Sequence, residues 1–94
     1  MKIDGVIWLR DIVDKLAWKH QVTTDEVEEV FSRQPRYRLI ENGEVEGEDL
    51  YTALGQTEAG RYLTVYFIRK ATNEALVISA RDMTKAERKR YGKK

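Results

Sequence analysis

The chain has 94 residues, with 17 Lys and Arg, 16 Asp and Glu, one His, one Pro and no Cys. That length suits a single domain spanning residues 1–94. The lack of Cys excludes a disulfide scaffold, a Cys-ligated zinc site, an iron–sulfur cluster and a thiol nucleophile. The formal net charge of +1 conceals an acidic middle, residues 25–58, with ten acidic and three basic side chains, and a basic end, residues 81–94, with seven basic and two acidic. Such a chain does not coat nucleic acid as a polycation. It suits one anionic ligand and one cationic partner, although two solvated faces would carry the same charges.

Ile3 to Trp8 is short and rich in β-branched residues, and reads as a strand or an irregular lead-in. Leu9, Ile12, Val13, Leu16, Ala17 and His20 then recur with helical spacing and define the apolar face of a first helix. A second helix begins at Thr23 or Thr24. With Thr23 as N-cap, Glu26 completes a capping box, Val27, Val30 and Phe31 share a face, and Pro35 cannot continue the helix. About three residues around Gln21 join the two helices, so a helix hairpin is expected.

From Arg36 the period becomes two. Arg36–Ile40 reads as a strand closed by an Asn42-Gly43 turn, and a second strand runs from Leu50 to Gly55. Arg61–Arg69 follows Ala59-Gly60, and after a Thr72-Asn73 turn comes Ala75–Ala80, an apolar run that suits a strand covered on both faces. Thr84 and Glu87 form a second capping box, with Met83 as its staple, opening a short basic helix with Lys85, Arg88, Lys89, Arg90 and Tyr91. The expected fold is α+β: an N-terminal helix hairpin, an antiparallel sheet of about four strands, and a short basic C-terminal helix.

His20 is the one side chain whose ordinary pKa lies near neutrality. Beside Lys19 it is either a boundary residue of the helix or a proton-transfer group with a cation at hand. One His and no Cys make a transition-metal site improbable, and no cofactor is implied. Arg61 opens one strand and Arg81 closes its neighbour, so an antiparallel pair brings both to one end of the sheet. There they are expected to form a phosphate clamp, with Ser79 on the same face as Arg81. Arg69, Lys85, Arg88 and Lys89 are candidates for binding a phosphate backbone, and Tyr91 for stacking on an unpaired base outside the core. A DNA-binding subunit fits less well, because the terminal helix is short and no helix-turn-helix spacing is evident.

Several strings resemble one family. Lys19-His20-Gln21-Val22, leading to Thr24, Glu26, Glu29, Val30 and Phe31, is similar to the Lys-His-Gly-Val helix hairpin of BrnT-type toxins. Tyr51, Ala53-Leu54-Gly55, Thr57, Gly60-Arg61, Leu63 and Val65 resemble that family's central hairpin. Ile78-Ser79-Ala80-Arg81 with Thr84, Glu87-Arg88 and Tyr91 resembles its C-terminal signature. The resemblance implies a RelE-like, metal-independent ribonuclease of a type II toxin–antitoxin pair. Such a toxin inhibits translation and growth and is neutralised by a small DNA-binding antitoxin of ribbon–helix–helix type. RNA is then the substrate, and DNA is met only through the antitoxin. By position, the family's functional residues fall on Lys19, His20, Arg61, Ser79 and Arg81, and its terminal pair on Glu87 and Arg88. Gln21 stands where the family has glycine, and Leu9 where an acidic residue usually follows the early tryptophan. The alternative is a catalytically inactive RNA- or protein-binding module on the same fold. The N-terminus, Met1-Lys2-Ile3-Asp4-Gly5, has no apolar signal core or lipidation box, and no apolar run approaches a membrane span of ~18–20 residues, so a cytoplasmic protein with no membrane partner is expected.

Overall fold

A computed structural model describes residues 1–93. The chain runs β1 (Gly5–Ile7), α1 (Arg10–Lys15), a π-helical turn (Leu16–His20), α2 (Thr24–Ser32), β2 (Arg36–Glu41), β3 (Asp49–Gln56), β4 (Tyr62–Arg69), β5 (Glu74–Asp82) and α3 (Lys85–Gly92). It is an α+β arrangement around one five-stranded sheet of order β1-β5-β4-β3-β2. Strands β2 to β5 are antiparallel neighbours, and β1 adds a parallel fifth strand beside β5. The expected four-stranded antiparallel sheet is therefore corrected to a mixed sheet of five. The Ile3–Trp8 lead-in, read as either a strand or irregular, does hold a strand at Gly5–Ile7, but three residues are too few to display a period of two and so to be counted in the sheet.

The two helices form a hairpin as expected, but the first does not stay α-helical. Over Leu16–His20 the backbone widens to a π turn, and the N–H groups of Gln21 and Val22 both bond to the Leu16 carbonyl. The extra residue per turn moves Ala17 off the apolar face and leaves it exposed, while Leu16 is buried. Leu9 lies before the helix and is exposed. The Thr23–Glu26 and Thr84–Glu87 capping boxes both form.

One face of the sheet carries the core. Ala53, Leu63, Val65, Phe67, Ala75, Val77 and Ala80 point to Leu16, Val22, Val27 and Val30 of the helical layer. Phe67 anchors an aromatic group, stacked on Tyr51 at 5.7 Å and edge-on to Phe31 and Tyr37. Gly55 allows α2 to approach, since a Cβ there would lie 2.7 Å from Val30 Cγ1.

The other face meets α3 at one end of the sheet. Thr64 hydroxyl donates to Glu87, and Tyr62 packs edge-on against Tyr91. The expectation that Ala75–Ala80 is covered on both faces does not hold. Ala75, Val77 and Ala80 are buried, but Leu76 and Ser79 are half-buried and Ile78 is exposed. The Asn42-Gly43 pair does not make a two-residue turn either. Residues 42–48 form a longer link, in which the Gly43 N–H donates to Asp49.

Candidate nucleic-acid interface

Arg61 and Arg81 do lie at the same end of the sheet, but they do not share a clamp. Arg61, just before β4, turns to the face of α1 and α2, where its acceptors lie, and strand alternation puts Arg81 on the face of α3. Arg61 donates to Asp82 at 2.8 Å, to the carbonyl oxygens of Gln21 and His20 at 2.6 and 3.0 Å, and to Glu26 at 3.3 Å. Its guanidinium thus ties the C-terminal end of the π turn to α2 and to the end of β5. These contacts raise the Arg61 pKa further, chiefly through the Asp82 hydrogen bond, and the same bond lowers that of Asp82. The Arg61 guanidinium thus clasps the helix corner.

That corner presents Lys19, exposed, and His20, half-buried. Gln21 caps it with φ 51° and ψ 42°, the left-handed conformation that a glycine adopts without cost. The corner therefore forms with glutamine in the glycine position. Exposed Trp18 stands one residue before Lys19, whereas Trp8 packs on the core and donates its indole N–H to Glu28 at 2.8 Å.

On the opposite face, Arg81 donates to both oxygens of Glu87, at 2.6 and 2.9 Å, and to the Tyr66 hydroxyl at 3.0 Å. Its guanidinium also lies over the Tyr66 ring, 5.5 Å from the centroid. Glu87 accepts in addition from the Thr84 N–H and the Thr64 hydroxyl. With so many donors, led by Arg81, its carboxyl is lowered to about 2. Ser79 pairs with Tyr66 in register and sits two residues from Arg81 on this face, as the sequence implied.

The expected backbone-binding residues divide. Lys85, Arg88 and Lys89 are exposed on α3, and Arg88 lies 4.1 Å over the Tyr62 ring. Tyr91, expected outside the core and free to stack, is half-buried against Tyr62. Arg69 is at the far end of β4, seven residues or roughly 24 Å along the strand from Tyr62. There it donates to Asn73 and lies on the face of α1 and α2, so it does not join Arg81. Lys94 lies outside the described residues.

Two arginines that the sequence reading did not single out complete the basic surface. Arg36 and Arg38 alternate on β2, hence share a face, and with Leu54, Arg90 and Lys93 they line a groove of about 420 Å³. Arg36 also donates to the carbonyl oxygens of Arg90, Tyr91 and Lys93, fastening the C-terminal end of α3 to the sheet edge. The spacing of Arg36 and Arg38 was visible in the sequence, but their convergence with a helix 54 residues away was not. Among the described residues, no group of three or more His, Asp or Glu side chains is placed to hold a metal ion.

The family model of the BrnT ribonuclease toxins of type II toxin–antitoxin systems matches residues 13–87. The chain belongs to the BrnT toxin family. No curated protein matches it. The BrnT match takes in Lys19, His20, Arg61, Ser79, Arg81 and Glu87, and ends before Arg88 and Tyr91. As a BrnT-family ribonuclease toxin, the chain has RNA as its substrate class and an antitoxin protein as its partner. Among the described residues, no helix is long and apolar enough to cross a membrane.

Proposed function

We propose that this chain is a metal-independent endoribonuclease toxin, acting as one domain in the cytoplasm on a RelE-like scaffold. Its antitoxin is of the ribbon–helix–helix, DNA-binding type, and the RNA cleavage stops translation and growth. The observation that carries this reading is the Arg81–Glu87 pair. A guanidinium on a basic sheet face holds two carboxylate oxygens in the bidentate geometry that two phosphate oxygens also fit. Lys85, Arg88 and Lys89 are exposed on α3, the helix that supplies Glu87, and Arg36, Arg38 and Arg90 line the groove at that helix's C-terminal end. In the bound state the scissile phosphate replaces Glu87 on Arg81, which Tyr66 keeps in place.

The 2′-hydroxyl oxygen then attacks the adjacent phosphorus and gives up its proton. The bond to the 5′-oxygen breaks, and that oxygen takes a proton, leaving a 2′,3′-cyclic phosphate and a 5′-hydroxyl. Arg81 stabilises the charge that develops on the phosphorane oxygens. Lys19 and His20 stand on the helix corner at the same end of β5 and are the candidates for the proton transfers, on an RNA strand that crosses that edge of the sheet. Arg61 acts one step back, by holding the corner that presents them.

A second reading has specific support, because both Arg61 and Arg81 are already occupied by carboxylates. In it the chain keeps the fold as an inactive RNA- or protein-binding module. Induced expression separates the two. Growth arrest with RNA decay, and RNA cleavage by purified protein in EDTA, is the outcome for the ribonuclease. Normal growth, intact RNA and soluble folded protein is the outcome for the module.

A further inference from the structure

Carboxylates engage Arg61 and Arg81, but a second group of cations is unpaired. Among the described residues, Arg33, Arg38 and Arg90 meet no carboxylate within ion-pair distance. They converge with Arg36 at the C-terminal end of α3, where two grooves meet. Arg36, Arg38, Leu54, Arg90 and Lys93 line one of about 420 Å³, and Arg33, Arg36, Gln56 and Tyr91 line another of about 500 Å³. Arg36 belongs to both, so the two form one trough along the β2 edge of the sheet. Among the described residues no carboxylate lines it, in a chain with 16 Asp and Glu.

Arg36 is the fixed member of the set. Its bonds to the carbonyl oxygens of Arg90, Tyr91 and Lys93 all leave from Nη1, which keeps Nε and Nη2 for a ligand. Two carboxylates stand near the ends of the trough. Glu87 precedes Arg90 on α3 by about one turn, but its oxygens are held by Arg81. Glu41 pairs with Leu50 on the face of Arg38, beyond the Arg38–Thr52 pair and on the side away from Arg36. It leads into the 42–48 link with Glu44, Glu46 and Glu48. That acidic end repels an anion, so an anionic chain at Arg38 continues towards Arg36 and Arg33 and not towards the link.

We infer that the trough is a second phosphate-binding site, which holds the RNA strand at linkages other than the cleaved one and governs affinity and not the chemical step. A row in direct register joins it to Arg81. Arg38 pairs with Thr52, Thr52 with Tyr66 and Tyr66 with Ser79, and Tyr66 accepts from Arg81. The row is polar throughout and spans three strand spacings, roughly 14 Å at ~4.8 Å each. No single phosphate meets both ends, so the two sites read different linkages of one strand. Five cations spread along the trough suit a chain that carries a negative charge at every linkage. RNA is the substrate class of the family. The division between affinity and chemistry rests on the proposed function, whereas the phosphate site itself does not.

The test titrates a fluorescent single-stranded 2′-O-methyl oligonucleotide of about eight nucleotides, which lacks the attacking hydroxyl, against salt. The full chain is compared with Arg38→Gln, Arg90→Gln and with a control of equal charge, Arg10→Gln, Lys15→Gln, on α1. All four positions are exposed, and melting temperatures check the folding. Should the trough variant not fold, the single Arg38→Gln change takes its place. The expected loss in the trough variant is about tenfold in affinity, with a salt slope shallower by about 1.4, two phosphate contacts fewer. The control should stay within about twofold of wild type. In RNA cleavage, KM should rise by a similar factor in the trough variant while kcat stays within about twofold. Unchanged oligonucleotide affinity overturns the inference, and so does an equal loss in the control, which would show only the long-range effect of charge. A fall in kcat as large as the rise in KM overturns the division of labour. Retained oligonucleotide binding with loss of antitoxin binding overturns it too, since the trough then takes a protein. If the wild-type chain cleaves no RNA yet the oligonucleotide result holds, the ribonuclease reading fails and the phosphate site stands.

Discussion

Replacing Glu87 with Gln should pull stability and RNA affinity in opposite directions. The Glu87 carboxyl, ordinarily at 4.5, is held at about 2 by Arg81, the Thr84 N–H and the Thr64 hydroxyl. That difference corresponds to an ionised form favoured by about 3 kcal/mol. Glu87 itself is 13% exposed but Arg81 is 31% exposed, so solvent screening reduces the expected loss at pH 7 to about 1–2 kcal/mol. Because the folded-state pKa is depressed, this contribution is complete above the unfolded value near 4.5 and disappears as pH falls through about 2. Urea denaturation should therefore show a constant gap between wild type and Glu87→Gln from pH 5 to 8, closing between about pH 4.5 and 2. The same substitution frees Arg81 for phosphate. Titration of a non-cleavable single-stranded RNA against salt should show tighter binding and a slope steeper by about 0.7, one phosphate contact more. A variant that loses stability and also binds RNA more weakly would refute the idea that Glu87 occupies the phosphate position.

Three further outcomes follow from the geometry. Arg61→Ala strands Glu26, Asp82 and the carbonyl groups of His20 and Gln21, and should cost about 2–3 kcal/mol in chemical denaturation; a loss below about 0.5 kcal/mol would remove the clasp role. Gln21→Gly at φ 51° should leave stability unchanged or raise it by up to about 1 kcal/mol, so a clear loss would mean that the glutamine side chain supports the corner. Gly55→Ala drives a methyl to 2.7 Å from Val30 and 3.2 Å from Pro35, and a drop of about 1–3 kcal/mol in thermal unfolding is expected.

Much of the architecture was legible because it rests on local signals. The Thr23–Glu26 and Thr84–Glu87 boxes mark both helix starts, and the alternation through residues 62–69 marks the central strand. Three residues of β1 carried no period to read. The π turn depends on how Leu16 and Val22 pack, which no helical count anticipates. For the site, the sequence placed Arg61 and Arg81 at one end of the sheet, and strand polarity sufficed for that. It did not place them on opposite faces, because Arg61 precedes β4 and its direction depends on the Gly60 turn and on the acceptors at the helix corner. Glu87 was read as a capping residue and, by resemblance, as one of a terminal pair with Arg88, but neither reading brought its carboxylate to Arg81 and Thr64. Arg36 and Arg38 became part of the surface only when α3 docked beside them.

The central claim is that RNA phosphate is held on the open face at Arg81 and not by a pair of arginines. The most direct measurement is the rate of RNA cleavage in EDTA by wild type, Arg81→Ala and Arg61→Lys, each shown to be folded under the assay conditions. The account expects Arg81→Ala to lose cleavage by about 100-fold or more, as when a charge-stabilising donor is removed, and Arg61→Lys to stay within about tenfold of wild type. Cleavage by Arg81→Ala at the wild-type rate would contradict it.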